Sequence, residues 1–313
     1  MRGVYHFSLS SHQEVMYRDE SDLNHGFNCL AEACLETDSS LLAEGFLSTH
    51  HHAMVFTDNV KDLLRIERYA YTRYFNSRYG RKGRLGERKP FILTIEGVHH
   101  LTVALNYVLR QGLHHGIAAT PFGYPHCSAN AFFRKDLGKM TTETLMPTAQ
   151  RYKYLPDRSC IPSYIRMNAS GSLLREDVID TSYVENIYVS PRNFLFQMNR
   201  ISDQKWIDEQ ITDNTKTPVI TLDLIESCVH DMDISQFLKN EQGRIDTSRL
   251  TDLELCKIID NDYLSGMFSK YGQTIYCLSS SCRADLGNRL WKDIPLVYKK
   301  KVAKTQLQRC LCL

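Results

Sequence analysis

Three consecutive histidines lie in the stretch GFLSTHHHAMVF, residues 45–56, which otherwise has the composition of β-strands. Side chains alternate between the two faces of a strand, so His50 and His52 are predicted on one face and His51 on the other. Two imidazoles on one face can bind a metal ion when a third ligand and substrate oxygens complete its shell. We therefore expect His50 and His52 to be metal ligands. A core would suit the other face, so His51→Val is expected to be tolerated.

A candidate third ligand lies in the helical stretch ALNYVLRQG, residues 104–112. Tyr107 and Gln111 are four residues apart and should project from the same side of a helix. Gln111 can give a neutral oxygen to the metal, which leaves Tyr107 within reach of whatever the metal binds. A tyrosine hydroxyl beside a metal-bound phosphate is a nucleophile that can form a covalent phosphotyrosine. Imidazole ligands favour zinc or manganese and oxygen ligands favour magnesium, so the residue types leave the metal open.

Other tyrosines and histidines fit this chemistry less well. Four tyrosines of a basic helix lack a metal-ligating side chain four residues later and are interpreted as packing or base-stacking residues: Tyr69, Tyr71, Tyr74 and Tyr79. Adjacent helix positions diverge by about 100°, so the pairs His99–His100 and His114–His115 are poor bidentate sites. We expect these two pairs on a helix surface or in contact with DNA.

The net charge of +2 conceals an uneven distribution. Residues 61–90 carry ten basic side chains, three acidic ones and five aromatic rings. Arginine interleaved with aromatic residues suits a surface that contacts phosphates and stacks unpaired bases, although a solvated helix face with inward-packed rings is an equal alternative. The candidate DNA-binding residues are Arg65, Arg68, Arg73, Arg78, Arg81, Lys82 and Arg84. A second basic cluster spans residues 289–309, and two such regions favour a polyanionic partner.

The periodicity of apolar residues predicts the order β-α-β-β-α-β-α over the first part of the chain. Such an order describes an antiparallel sheet backed by helices, in the α+β class. The stretch VHHLTVALNYVLRQGLHHG is predicted as a single helix. Loop-rich sequence then separates this part from a mostly helical one, which the strand candidate TPVITLDLIE interrupts. We therefore predict a first domain at residues 1–130 that carries the candidate site, a linker or boundary region at 131–162 and a mostly helical extension at 163–313.

The last stretch, KKKVAKTQLQRCLCL, has two interpretations. It resembles the last helix of a helix-turn-helix, in which Thr305 would open a helix that presents Gln306, Gln308 and Arg309 to a DNA groove. Alternatively, it is a basic helix that packs on its own domain through three leucines, Leu307, Leu311 and Leu313.

No apolar run approaches the length of a membrane span, and the N-terminal stretch MRGVYHFSLSS lacks the apolar segment of a signal peptide. The ten cysteines include no CxxC pair. They are predicted to be free thiols, mainly core residues such as Cys29 and Cys34. A cytoplasmic, nucleoid-associated protein that does not bind membranes is expected.

Five motifs together resemble a known family. In order and spacing, GVYHFSLS, GFLSTHHHAMVF, YTRYFNSRYGRKGRL, NYVLRQGLHHG and YPHCSA are similar to the HUH single-strand transposases, most of all to the REP-associated tyrosine transposases and their insertion-sequence relatives. The resemblance covers residues 3–130. The sequence departs from the family at Ser48 and Thr49, where relatives often have Pro-Asn, at the polar His51, and at Gly112, where proline is common.

The resemblance implies a ferredoxin-like antiparallel sheet with helices on one face and the two histidine ligands on a central strand. By position, His50 and His52 match the metal ligands, Tyr107 the nucleophile and Gln111 the additional polar ligand. The implied cofactor is Mg²⁺ or Mn²⁺, with DNA oxygens completing its shell. The implied partner is single-stranded or hairpin DNA. Whether Tyr107 acts in its own subunit or in that of a homodimer partner stays open.

Three functions are compatible with these features. The first is a transposase that cleaves and rejoins one DNA strand through a 5′-phosphotyrosine, for which no ATP motif is needed and none is visible. The second is a domesticated DNA-binding protein that uses the same domain without cleavage. The third is an unrelated zinc hydrolase built on the three histidines.

Overall fold

In the computed structural model, four strands form one antiparallel sheet in the order β2-β3-β1-β4. The structure describes residues 2–11, 13–139, 144–155, 161–199, 238, 240, 242, 244–265 and 274–313. The strands are β1 (Gly3–Ser10), β2 (Ser40–Phe46), β3 (His50–Thr57) and β4 (Phe91–Ile95). Among the described residues the α+β class and the antiparallel sheet are therefore as predicted.

Helices connect and cover these strands, and a second group of helices follows in the C-terminal half. The helices are α1 (Glu20–Glu36), α2 (Val60–Tyr79), α3 (Gly97–Leu109), α4 (Gln111–His114), α5 (Arg175–Val178), α6 (Thr181–Tyr188), α7 (Pro191–Met198), α8 (Asp252–Ile258), α9 (Ser280–Asp293) and α10 (Lys304–Leu311). Asn59 caps the N-terminus of α2, because its side chain accepts a hydrogen bond from the backbone N–H of Asp62. Gly80 ends α2 in the left-handed conformation, with φ of 63°.

Strand register determines which side chains share a face of the sheet. Ser10 lies opposite His50, and Ser8 lies opposite His52. His6 lies opposite Met54. Directly opposed residues of antiparallel strands point to the same face. The face that carries His50 and His52 therefore also carries His6 and Ser8, and we call it the histidine face.

The helices lie on both faces of the sheet, not on one as the sequence predicted. Helix α2 packs on the face opposite the histidine face, because Glu67 of α2 reaches His51 with 2.8 Å between Oε1 and Nε2. The junction of α3 and α4 packs on the histidine face, where Gly45 of β2 lies opposite His52. A Cβ atom at Gly45 would lie 3.0 Å from the carbonyl oxygen of Val108. The predicted single helix of residues 98–116 is thus two helices, α3 and α4, that meet at Arg110.

Two hydrophobic cores hold the described residues together. The first extends from Phe7 to Met198 and includes the sheet, α1 to α3, α6 and α7. Described residues of the predicted linker, among them Phe132 and Phe133, contribute to it. The second consists of Val15 and of described apolar residues between Leu250 and Leu311. The strand candidate TPVITLDLIE lies outside the described residues.

The C-terminal helices contact the sheet domain through buried polar groups. Arg18 lies fully buried between them and donates to Asp260 at 2.9 Å and to the carbonyl oxygen of Cys310 at 2.9 Å. Ser48, in the turn before β3, donates to a carboxylate oxygen of Asp252 at 2.8 Å. The turn that precedes His50 is therefore held by the C-terminal half of the chain.

The last helix, α10, packs on the protein through one side, which carries Gln306 and Arg309, while Gln308 is exposed. Gln306 is buried and donates to the carbonyl oxygen of Leu250 at 2.9 Å, and Arg309 is buried beside Asp252 at 3.5 Å. Leu307 and Leu311 are buried, whereas Leu313 is exposed. The structure does not leave Gln306 and Arg309 available to read a groove, because both are buried in contacts within the same chain. Among the described residues, no helix combines the length and apolar character needed to cross a membrane.

Candidate metal and tyrosine site

The two predicted metal ligands, His50 and His52, lie side by side on the same face of β3. The rings of His50 and His52 have centroids 5.1 Å apart at an interplanar angle of 81°. Nδ1 of His50 lies 3.0 Å from the hydroxyl of Thr49, and Nδ1 of His52 lies 3.1 Å from Nε2 of His6. Both rings are thus held through Nδ1, so Nε2 is the atom of each ring to consider for a ligand.

Tyr107 of α3 lies directly against these histidines. Its ring centroid is 5.0 Å from that of His52 and 6.1 Å from that of His6, in edge-to-face geometry both times. Tyr107 is only 1% exposed. The predicted nucleophile and the predicted ligand on β3 are therefore brought together by the packing of α3 on the histidine face.

Gln111 completes the predicted constellation from the first residue of α4. Its Nε2 donates to the carbonyl oxygen of Tyr107 at 3.0 Å, so the amide is fixed to the end of α3. Its Oε1 is buried and has no hydrogen-bond partner among the described residues. The side chain of Gln111 can lie here because residue 45 is glycine. A Cβ atom at Gly45 would lie 3.2 Å from Cγ of Gln111.

Two histidines that sequence reasoning did not assign to the site belong to it. His6 contacts His52, and the ring of His115 lies 5.5 Å from that of His50. His115 is buried and not on a helix surface as expected. His100 is also buried, and its Nδ1 accepts a hydrogen bond from the backbone N–H of Glu96 at 3.0 Å. The alternation of residues along β1 indicated which face of that strand carries His6. Only the pairing of β1 with β3 shows that the rings of His6 and His52 are neighbours.

Burial keeps the imidazoles of His6 and His52 neutral. It lowers the pKa of His6 to about 3, with a further contribution from His100. Burial likewise lowers the pKa of His52 well below its ordinary value, assisted by His50 and His6. A neutral imidazole is the form that binds metal ions.

The donor atoms fit a divalent cation that takes its remaining ligands from a substrate. Within the described ranges, no group of three or more His, Cys, Asp or Glu side chains is arranged to hold a metal ion. The candidate donors here are two imidazoles and one amide. Nε2 of His52 and Oε1 of Gln111 are both buried and lack hydrogen-bond partners within the described part of the chain. Both atoms can offer a lone pair, so His50, His52 and Gln111 fit a cation completed by phosphate oxygens.

His51 lies on the opposite face, as strand alternation predicts, but its surroundings are not a simple apolar core. The hydroxyl of Tyr17 lies 2.8 Å from its Nδ1, and Oε1 of Glu67 lies 2.8 Å from its Nε2. All three side chains are buried. The expected tolerance of His51→Val is therefore revised, because valine would leave a buried carboxylate without this partner.

The structure does not bring the basic residues of α2 to the histidines. Arg65, Arg73 and Arg78 line a groove of about 980 Å³ that borders α1 and α2, on the other side of the sheet. Several of these cations already have partners within the chain. Arg78 pairs with Asp19 and Asp22, both at 2.5 Å, and Arg65 pairs with Asp62 at 3.2 Å.

The loop after α2 lies nearer to the site. The backbone N–H of Glu87 donates to the carbonyl oxygen of Ser10 at 2.7 Å, and Ser10 lies opposite His50. Lys82 and Arg84 of this loop are exposed. Arg81 instead pairs with Glu14 at 2.5 Å, and Arg68 donates to backbone carbonyls of the loop. Of the seven predicted DNA-binding residues, Lys82 and Arg84 are therefore exposed in the loop nearest the site. Arg65, Arg68, Arg78 and Arg81 already contact partners within the chain.

The tyrosines of α2 also divide between packing and exposed positions. Tyr71 and Tyr79 are buried. Tyr74 stacks on His25 with ring centroids 3.7 Å apart. Tyr69 is 64% exposed, and the guanidinium of Arg73 lies 5.7 Å from its ring centroid. Tyr69 has the exposure that base stacking requires, and the other three have packing roles.

Comparison with known proteins gives only distant structural similarity. No family model matches the chain, and no curated protein matches its sequence. Among solved structures, the chain is similar to a REP-associated tyrosine transposase bound to a REP hairpin, with a TM-score of 0.37 and 11% sequence identity. The similarity covers 44% of this chain and 80% of that one. A likeness this distant does not identify a family.

Proposed function

We propose that the chain is a metal-dependent DNA strand transferase that cleaves and rejoins single-stranded or hairpin DNA through Tyr107. The observation that carries the proposal is the 5.0 Å contact between the rings of Tyr107 and His52, made across two elements far apart in sequence. A tyrosine beside two imidazoles and an amide oxygen is suited to attack a metal-bound phosphate. Because Tyr107 contacts the histidines of its own chain, we propose that it acts within one subunit.

The order of elements supports a ferredoxin-like arrangement for this domain. Strands and helices follow one another as β1-α1-β2-β3-α2-β4, and the sheet order is β2-β3-β1-β4. The histidines lie on β3, which has strands on both sides, as the resemblance to the HUH transposases implies. Helix α3 is the additional element that covers the histidine face and supplies the tyrosine.

The proposed reaction needs a phosphodiester held against Tyr107. Mg²⁺ or Mn²⁺, held by His50, His52 and Gln111, would polarise the phosphoryl group and offset the charge of the transition state. The hydroxyl of Tyr107 gives up its proton to solvent as its oxygen attacks phosphorus, the bond from phosphorus to the 3′ oxygen breaks, and that oxygen takes up a proton from solvent. The product is a 5′-phosphotyrosine and a free 3′-OH.

Rejoining is the reverse displacement by a 3′-OH. The hydroxyl attacks the phosphotyrosine, the bond from phosphorus to Tyr107 breaks, and the tyrosine regains its proton. One phosphodiester is exchanged for another through the covalent link, so no nucleotide hydrolysis is required.

We propose that the cleaved strand follows the loop after α2. Lys82 and Arg84 are exposed there, at the end of the sheet that holds His50. The groove beside α1 and α2 lies on the other face, so it can contact only DNA outside the cleavage site. Phosphate contacts of exposed lysine and arginine supply affinity that falls with salt.

The test is the formation of a covalent adduct between the full chain and DNA. Labelled single-stranded DNA, with and without hairpins, is incubated with Mn²⁺ and resolved under denaturing conditions. We expect an adduct with the wild type and none with Tyr107→Phe, which keeps the ring but lacks the attacking oxygen. His50→Ala and His52→Ala should bind DNA but form no adduct. An adduct of undiminished yield in Tyr107→Phe would exclude the assigned nucleophile.

The burial of Tyr107 favours a second candidate, a DNA-binding protein that does not cleave. Tyr107, His52 and Gln111 are each no more than 1% exposed, so a strand reaches them only if covering groups move. The same assay separates the two functions. Salt-sensitive DNA binding by the wild type without any adduct, in Mn²⁺ and in Mg²⁺, would support the non-cleaving protein.

A further inference from the structure

His6 of β1 makes a direct contact with a candidate metal ligand. Its Nε2 lies 3.1 Å from Nδ1 of His52, and the two rings stack with centroids 5.2 Å apart and an interplanar angle of 22°. Both side chains are fully buried. The contact is diagonal across β1 and β3, since Ser8 and not His6 lies directly opposite His52.

The contact links the tautomers of the two rings. One of the two nitrogens must carry the proton and the other must accept it. If His6 donates, Nδ1 of His52 is the acceptor and its Nε2 carries a proton, so Nε2 has no lone pair for a metal. If Nδ1 of His52 carries the proton and donates the hydrogen bond, Nε2 of His52 has a lone pair that can bind a metal.

We propose that His6 is a positioning residue that accepts the Nδ1 proton of His52 and so fixes His52 in the tautomer that binds a metal through Nε2. The inference rests on the proposed function, because it assumes that His52 is a ligand. His6 is not one of the proposed metal ligands and would act through its contact with His52. A hydrogen bond to the second nitrogen of a ligating histidine fixes its tautomer and ring orientation, and its loss typically costs about 10- to 100-fold in metal affinity.

The geometry around His6 explains why the two tautomers compete without a metal. With Nε2 accepting, Nδ1 of His6 carries a proton, and this buried atom has no hydrogen-bond partner within the described ranges. With Nε2 donating, the buried Nε2 of His52 carries the proton, and it also lacks a partner there. Each arrangement leaves one buried N–H unpaired, so neither is strongly favoured until a cation takes up the lone pair of His52.

Two substitutions separate the acceptor from the ring. His6→Gln places an amide oxygen close to the position of Nε2 and retains an acceptor, whereas His6→Phe keeps a ring and removes it. His25→Phe is the control, because His25 stacks on Tyr74 on the far side of the sheet. Mn²⁺ affinity of the full chain without DNA is measured by calorimetry, and the urea midpoint confirms that each variant is folded.

We expect His6→Phe to bind Mn²⁺ about 10- to 100-fold more weakly than the wild type and His6→Gln to recover most of this loss. His25→Phe should bind like the wild type. Equal affinities of His6→Phe and the wild type would overturn the inference, as would a His6→Gln variant as weak as His6→Phe. A wild type that forms the DNA adduct while His6→Phe retains full affinity would leave the proposed function standing.

Nitrogen NMR of the wild type tests the tautomer without any substitution. With ¹⁵N-labelled histidine and saturating Mg²⁺, Nδ1 of His52 should be protonated and Nε2 of His6 should not. The opposite assignment in the Mg²⁺-bound protein would overturn the inference. A wild type that binds neither Mn²⁺ nor Mg²⁺ and forms no adduct would overturn the proposed function together with it.

Discussion

Nε2 of His51 lies 2.8 Å from Oε1 of Glu67, on the face of the sheet opposite the one that carries His50 and His52. Glu67 is only 2% exposed, and the hydroxyl of Tyr17 contacts the other nitrogen of the His51 ring at 2.8 Å. The three consecutive histidines thus lie in two different environments. His50 and His52 belong to the candidate site, and His51 connects β3 to α2 through buried polar contacts.

The first prediction is that His51→Val destabilises the protein. Valine removes the polar partner of the buried Glu67 side chain, and leaving a buried polar group without its partner costs about 1–3 kcal/mol. The urea midpoint measures the effect. The double variant His51→Val, Glu67→Leu should regain much of the lost stability, because no buried carboxylate then remains. A single variant as stable as the wild type would show that the contact with Glu67 contributes nothing.

The second prediction distinguishes cations that bind DNA from cations that hold the fold. Lys82→Ala together with Arg84→Ala should weaken single-stranded DNA binding and reduce the salt slope of log affinity by about 1.4, because two phosphate contacts are lost. Arg81→Ala should instead lower stability by about 1–3 kcal/mol, since it leaves Glu14 without its 2.5 Å partner.

Binding titrations at several salt concentrations and urea unfolding are measured on both variants. If Lys82 and Arg84 can be replaced without any change in salt dependence, the proposed path of the strand is wrong.

The third prediction concerns pH and His126. Burial, with a smaller contribution from Arg175, lowers the pKa of His126 to about 3. Below pH 6.5 the unfolded chain takes up a proton there that the folded chain does not, so this residue makes stability fall as the pH falls. Between pH 7.5 and 5 the wild type should therefore lose about 2 kcal/mol more than His126→Gln.

The contributions of other titratable groups cancel in this comparison. Burial raises the pKa of Glu44 and of Asp22, which has the opposite effect on stability, and both variants retain these residues. Urea unfolding at the two pH values gives the difference. Parallel losses in the two proteins would mean that His126 is not held neutral in the folded chain.

The fourth prediction tests the close approach of α3 and α4 to the sheet. Gly45→Ala would place a Cβ atom 3.0 Å from the carbonyl oxygen of Val108 and 3.2 Å from Cγ of Gln111. We expect a destabilisation of about 1–3 kcal/mol and weaker Mn²⁺ binding, because Gln111 is displaced. Gly3→Ala is the matched control, since its Cβ would make only an ordinary contact of 3.6 Å with Tyr5. A Gly45→Ala protein with unchanged Mn²⁺ affinity would separate Gln111 from the metal site.

Local sequence rules determined much of the candidate site. Alternation along a strand is a property of the backbone itself, so the opposite directions of His50 and His51 followed from their positions alone. The spacing of Tyr107 and Gln111 likewise indicated neighbours, although α3 ends between them at Leu109. The order of strands and helices in the sheet domain also followed from the pattern of apolar residues.

Tertiary structure decided the features that depend on contacts between distant segments. His6 joins the site only because β1 pairs with β3 in one register, and a shift by one residue would turn its ring to the other face. Arg81 and Arg309 looked like DNA-binding cations until the fold supplied Glu14 and Asp252 as partners. The sequence determined the direction of each side chain within its own element, because that geometry is local. Which groups meet was decided by packing, because hydrophobic burial and strand pairing act between segments whose separation along the chain carries no such information.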